Sequence, residues 1–324
     1  MNTTISTHTA SELYGIDDDR QQPGTICLAN ESRFNATHYS EPLTAFTSGW
    51  RDPENLDQQL DFIAPPVTVG RRFEFKKAIN AEAFLSETDD IRAIGAGFKR
   101  VEYTGESVNE KTINKGLTIR IDHDDEVGED WQERYTQLLL QRLKRNELRR
   151  AIALLDSVAT NTNQVWDNVA NPDADLRSQL VTATNASGVR PNRILFGEGA
   201  WDMRAEAYEL QENAVALRSA GMSPEELASK LFVDGVRILR ARYQANASTK
   251  SAVLGNAVYT YYAEQGQMKD EPSNIKRFVT PADGGLYRVY IEPRTKYTDL
   301  TVEHYSNIVI TSDIGIGKIT ASAS

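Results

Sequence analysis

From Glu129 to Thr160 the chain reads EDWQERYTQLLLQRLKRNELRRAIALLDSVAT, without a proline or glycine. Within it Trp131, Tyr135, Leu138, Leu139, Leu148, Ala151, Ile152, Leu155 and Val158 recur at helical spacing. A helix over residues 129–159 would be about 46 Å long at 1.5 Å per residue. An element of that length is a spine along which other elements must be laid. Its first turn is acidic (Glu129, Asp130, Glu133) and its second half basic (Arg142, Lys144, Arg145, Arg149, Arg150), which suits the helix dipole. The basic run could hold phosphate, but a solvated or subunit-facing surface is its commoner meaning.

Two stretches before the spine alternate as half-buried strands do: PPVTVGRRFEF through Val67, Val69, Phe73 and Phe75, and KGLTIRID through Leu117, Ile119 and Ile121. Residues 76–114 between them are rich in charge and glycine and poor in large apolar groups. An insert of that length inside a compact domain needs a function. A two-stranded excursion reaching a neighbouring subunit fits, because an isolated ribbon is marginal in water. Residues 1–62 carry turn signals such as QQPG and DPEN and few periodic apolar runs, which reads as an arm that must lie against something.

After the spine, helices and strands alternate. DADLRSQLVTAT and GAWDMRAEAYELQENAVALRS read as helices, and SPEELASKLF opens with a capping box of Ser223 and Glu226 behind Pro224. NRILFG, GVRILRARYQ and AVLGNAVYTYY read as strands, and the segment from Leu286 onward as two or three more. The class is α+β. The 324 residues are 40% apolar, enough for one large domain or two ordinary ones. A single cysteine, Cys27, excludes an intrachain disulfide framework and a thiolate zinc site. No secretory leader and no apolar run of membrane-spanning length is present, so no membrane association is expected. A net charge of −10 argues against a general nucleic-acid binder.

The densest chemical signal is IRIDHDDEVGEDW, residues 119–131. Counting Asp122 as the first position of a calcium loop puts Asp124 third, Glu126 fifth and Glu133 twelfth. Val127, however, stands where the turn needs glycine, and a strand precedes Asp122 where a helix is required. A strand-to-helix junction with acids at a helix N-terminus accounts for the same residues. A metal-dependent hydrolase built on the Asp122 to Asp130 cluster is the alternative of a different class. IGAGFKR lacks the third glycine of a dinucleotide fingerprint, and no phosphate-loop lysine motif, HExxH or nucleophile elbow occurs. His8, His38, His123 and His304 are scattered, and His304, on a strand, reads as a packed or edge residue and not as a base. No catalytic, cofactor-binding or metal-ligating residue is therefore assigned, and the expectation is a non-enzyme without cofactors.

An arm, a long ribbon and a spine are parts that need neighbouring copies. Their order resembles the major capsid protein family of tailed bacteriophages with the Hong Kong 97-type capsid fold. The likeness is carried by IAPPVTVGRRFEF, IGAGFKRVEYTGESVNEKTINKGLTIRID, YTQLLLQRLKRNELRRAIALLD and RPNRILFGEGAWDMRAEAYELQ, and runs from about Leu60 to the C terminus. The resemblance implies an N-terminal arm (1–62), an extended loop with its flanking strands (63–127), the spine helix of a peripheral domain (128–164), an axial domain (165–285) and C-terminal strands of the peripheral domain (286–324). It implies many copies as hexamers and pentamers, forming an icosahedral shell around double-stranded DNA that is enclosed without specific binding. The location would be the virion, after assembly in the host cytoplasm. With an arm beginning near Met1, a separate scaffolding protein or none is expected, along with portal and decoration proteins. Some members weld subunits through a loop lysine. Lys99, Lys111 and Lys115 lie in the corresponding region, but no partner is identified. An encapsulin-like compartment around a cargo enzyme is the alternative with the same fold.

Overall fold

The long helical run forms one helix in the computed structural model, which describes residues 38–77, 94, 97–98, 106–125, 128–211, 213–246, 248–264, 273–282 and 285–323. Before the spine come helices α1 (Glu41–Gly49) and α2 (Leu56–Ile63) and strands β1 (Pro66–Thr68), β2 (Arg72–Lys77), β3 (Glu106–Lys111) and β4 (Ile113–Asp122). The spine is α3 (Trp131–Val158). After it come β5 (Thr160–Val165), α4 (Pro172–Ser187), β6 (Arg193–Gly197), α5 (Glu198–Glu209), α6 (Ala214–Ala220), α7 (Pro224–Leu231), β7 (Gly235–Leu239), β8 (Arg242–Gln244) and β9 (Lys250–Ala252). The chain ends with β10 (Ala257–Tyr261), β11 (Ile275–Thr280), β12 (Tyr287–Pro293), β13 (Tyr297–Ile310) and β14 (Gly317–Ser322).

Strand β13 organises the first sheet. One edge pairs antiparallel with β4, Tyr297 opposite Asp122 through Ser306 opposite Ile113. The other edge takes β12 along its first half and β11 along its second, and β1 adds parallel to β11. Leu139, Leu140 and Leu143 of α3 pack on Val289, Leu300 and Val302 of this sheet, with Leu43 of α1 closing the cluster. The second sheet has the order β5-β14-β10-β6-β7. Leu176 and Leu180 of α4, Ala200 and Ala207 of α5, and Leu227 and Leu231 of α7 form a core with Ile194, Phe196, Val258 and Ile319 of its strands. α4 extends past the expected DADLRSQLVTAT to caps set by local chemistry: Asn171 accepts a bond from the Ala174 amide at 3.1 Å, Pro172 follows, and Gly188 closes it at φ 72°. The expected capping box on α7 is present, with both the Ser223 and Glu226 bonds made.

The structure alters several expectations. The stretch read as an arm contains two core helices: α2 buries Leu56, Leu60 and Ile63 completely. Only residues 1–37 of that stretch lie outside the described residues. On α3, Leu138 is half exposed, while Leu140 and Leu143 are buried together with Lys144 and Glu147. The helix is covered on one side by α1 and α2 and on another by β13, so a single stripe does not describe it. The helical run from Gly199 to Ser219 splits into α5 and α6, because Asn213 caps a fresh helix by accepting from the Ala216 amide at 2.8 Å. GVRILRARYQ and AVLGNAVYTYY each break into two strands. The last strand, expected with the peripheral strands, joins the second sheet instead: β14 lies between β10 and the parallel β5. Conversely β11, inside the 165–285 segment, belongs to the first sheet.

Candidate functional site

Glu147 is the one carboxylate in the buried stripe of α3, and its side chain is 1% exposed. Across from it, Lys115 on β4 and His304 on β13 are register partners, so both side chains share the sheet face that meets the helix. Lys115 Nζ donates to Glu147 Oε1 at 2.7 Å and to Ser306 Oγ at 3.2 Å. Arg150, one turn further along α3, donates to the same oxygen at 2.7 Å, and the Ser306 hydroxyl donates to Oε2 at 2.9 Å. His304 Nε2 lies 3.9 Å from Glu147, and neither imidazole nitrogen has a hydrogen-bond partner among the described residues.

Burial opposes the charge on Glu147, but Lys115, His304 and Arg150 outweigh it and hold the carboxyl at about 2. Burial lowers His304 to about 4, the attraction of Glu147 being the smaller influence, so the imidazole is neutral at neutral pH. Burial also lowers Lys115 against the pull of Glu147. The result is a closed ionic clamp. Both carboxylate oxygens of Glu147 accept from donors of its own chain, with Glu147 and His304 buried and Arg150 half exposed. It pins the spine to the strand into which the ribbon runs. Breaking one partner of such a pair leaves a buried charge uncompensated, which costs about 3–5 kcal/mol.

The ribbon itself is rooted by β2 and β3, which pair antiparallel from Arg72 opposite Lys111 to Lys77 opposite Glu106. Phe73 and Phe75 anchor it on Phe278 of β11, with ring centroids 4.3 Å and 5.6 Å away. Of the three loop lysines, Lys99 lies outside the described residues, Lys111 is exposed, and Lys115 is committed to the clamp.

Among the described residues the acidic turn shows no converging cation cage. Asp122 Oδ1 accepts from the Asp124 amide at 3.0 Å, and His123 Nε2 contacts Thr298 Oγ1 at 3.0 Å. Asp122, Asp124, Asp125, Glu129 and Asp130 are exposed, while Glu126 and Val127 lie outside the described residues. Among the described residues no three His, Cys, Asp or Glu side chains come together to hold a metal. His8 is outside the described residues and His38 stands apart at the start of them. Among the described helices none is long and apolar enough to cross a membrane.

The basic half of α3 is largely committed. Lys144, 3% exposed, donates to Asp57 of α2 and lies 4.7 Å from the Trp50 ring; Arg145 pairs with Glu54. Sequence reasoning missed the clamp because its members lie far apart in the chain. The available signal was an acidic side chain at 147, four residues after Leu143 and four before Ala151 on the apolar face.

No protein-family model matches the sequence, and no curated protein matches it. Among solved structures, a phage-related protein from Bordetella bronchiseptica RB50 superposes with a TM-score of 0.65 at 15% identity, over 87% of this chain and 96% of that one. The mature capsid of bacteriophage PhiM1 gives 0.48 at 10% identity, over 81% and 86% of the two chains. A virus-like particle from Pyrococcus furiosus gives 0.47 at 12%, over 88% and 100%. Only the first of these three exceeds 0.5. It establishes the mixed α+β fold of a phage-related protein across nearly the whole chain, the fold class that the Hong Kong 97-type resemblance implied.

Proposed function

We propose that this chain is the shell-forming subunit of a tailed-bacteriophage capsid, assembling in many copies as hexamers and pentamers around double-stranded DNA. The observation that carries the reading is the fold shared with a phage-related protein over 87% of the chain. The ribbon rooted at Lys77 and Glu106 supports it, since such a ribbon gains stability by docking on a neighbour. The sheet around β13 with α3 would form the peripheral domain. The second sheet with α4 to α7 would form the axial domain around the capsomer axes. The role is structural, the location is the virion after assembly in the host cytoplasm, and scaffolding, portal and decoration proteins are separate chains.

Because Lys77 and Glu106 are register partners, residues 78–105 can be replaced by an Asn-Gly turn without disturbing the paired ribbon base. The wild-type chain, alone or with a co-expressed scaffold, is expected to give closed shells in negative-stain electron microscopy. The shortened chain is expected to melt like wild type yet form no shells. Normal shells from the shortened chain would refute the ribbon's role. A wild-type chain that assembles with no scaffold offered would refute nothing, whereas one that never assembles under either condition would sink the capsid reading.

A further inference from the structure

A groove of about 890 Å³ lies between α3, the first turn of α2 with Glu54 just before it, and β8 with β9. Its lining includes Arg142, Arg145, Arg149, Arg240, Arg242 and Lys250, against the single carboxylate of Glu54. In a chain of net charge −10 this is a local inversion of sign. Part of the charge is engaged internally: Arg145 with Glu54, Arg242 with Glu198, Arg240 at 3.7 Å from Glu198, and Arg149 at 4.0 Å over the Tyr243 ring. Arg142 and Lys250 are exposed and make no ion pair among the described residues. Guanidinium groups so arranged suit oxyanions, which they bind in a fork.

The complementary feature is on the same chain. Asp122 at the end of β4, Asp124 and Asp125 in the turn after it, and Glu129, Asp130 and Glu133 around the start of α3 are exposed, and none forms an ion pair among the described residues. They cannot neutralise the groove of their own copy. Along the helix, Arg142 lies about 18 Å and Arg149 about 28 Å from Asp130, beyond the ~8 Å over which exposed charges act at physiological salt. Each chain thus presents one unpaired acidic turn and one cationic groove, held apart by a rigid helix.

We infer that the groove receives the acidic residues Asp122, Asp124, Asp125, Glu129, Asp130 and Glu133 of a second copy of this chain. The contact is heterologous, one patch against a different patch, and contacts of this kind close into rings when the rotation permits. It rests on the capsid reading only in requiring that copies associate. Nucleic-acid phosphate would also suit arginines, but the structure itself supplies the matching partner: a short set of exposed carboxylates that make no ion pair among the described residues.

The test uses two full-length variants whose substitutions lie at exposed positions: Arg142→Glu with Lys250→Glu, and Asp124→Lys with Asp125→Lys. Each is checked for a wild-type melting profile and examined by sedimentation velocity beside the wild-type chain. Each variant alone is expected to lose the oligomers that wild type forms. An equimolar mixture retains one intact groove and one intact turn, so it is expected to stop at a 1:1 dimer that high salt dissociates. Oligomers from both variants indistinguishable from wild type would overturn the inference and leave the capsid reading standing. A mixture that stays monomeric would overturn it as well. Wild-type oligomers that never become shells, yet respond to these substitutions as described, would support the contact and count against the capsid reading. Tight binding of a double-stranded DNA oligonucleotide that is lost in the groove variant, with self-association unchanged, would overturn the inference in favour of a phosphate site.

Discussion

His304 is buried, with no hydrogen-bond partner on either ring nitrogen among the described residues, so its contribution is read through its titration. The groups facing it are Glu147 and Arg150 from α3, Lys115 from β4, Arg277 from β11 and the ring of Tyr287 from β12, 5.0 Å away. Folding holds its value down to about 4 from 6.5. Between those values the unfolded chain takes up a proton that the folded chain refuses, so stability falls as pH drops from 6.5 towards 4. The loss is on the order of 3 kcal/mol. Glu147 adds a second loss lower down, because its depressed carboxyl stays ionised while the unfolded group protonates between 4.5 and about 2. Urea denaturation followed from pH 7 to pH 4 is expected to show the first loss in wild type and most of it abolished in His304→Phe. Phenylalanine keeps the packing on Tyr287 and forfeits no hydrogen bond. Equal acid losses in the two proteins would show that His304 does not titrate in this way.

Among the elements the sequence reading did not anticipate, α2 carries the clearest local signal. Leu56, Leu60 and Ile63 sit one and two turns apart in LDQQLDFI, but eight residues behind the turn signal DPEN are too few to stand out as a helix. Its fixation is tertiary: three apolar side chains in the core, Asp57 on Lys144, and Asp61 on Arg277. Leu60→Ala, at a fully buried position, is expected to lower the unfolding free energy by about 2–5 kcal/mol, measured by urea titration. A change below half a kcal/mol would mean the segment is peripheral, as its sequence suggested. The spine, the capping box and α4 were legible because helical period and cap chemistry are local. β5 was not, because TNTNQV carries no apolar alternation and is held by its pairing to β14. β11 was hidden for the opposite reason: Lys276 and Arg277 are buried within it, where charges ordinarily argue against a central strand.

At the scale of the whole molecule, sequence order shows which elements exist but not which sheet each joins, since pairing is a long-range choice. The decisive case is β14, which returns to the second sheet and so ties the chain's end to the strand leaving the spine. The two sheets also share a core. Leu60 of α2, Leu148 and Leu155 of α3, Leu195, Tyr259 and Tyr261 of the second sheet, and Ile275 and Ile308 of the first lie in one apolar cluster. Polar ties follow the same seam: the Tyr261 hydroxyl donates to the Phe62 carbonyl at 3.2 Å, and the Tyr259 hydroxyl donates to Asp156 at 2.6 Å. A chain of 324 residues is long enough for its parts to unfold separately, but a core drawn from both sheets removes the boundary at which they would part. Calorimetry of the unassembled subunit is therefore expected to show one transition, with calorimetric and van't Hoff enthalpies equal. Leu155→Ala, in the shared cluster, is expected to move that single transition down as a unit. Two resolved transitions, with only one of them shifted by the substitution, would show that the sheets unfold independently and that the seam is a contact between separate bodies.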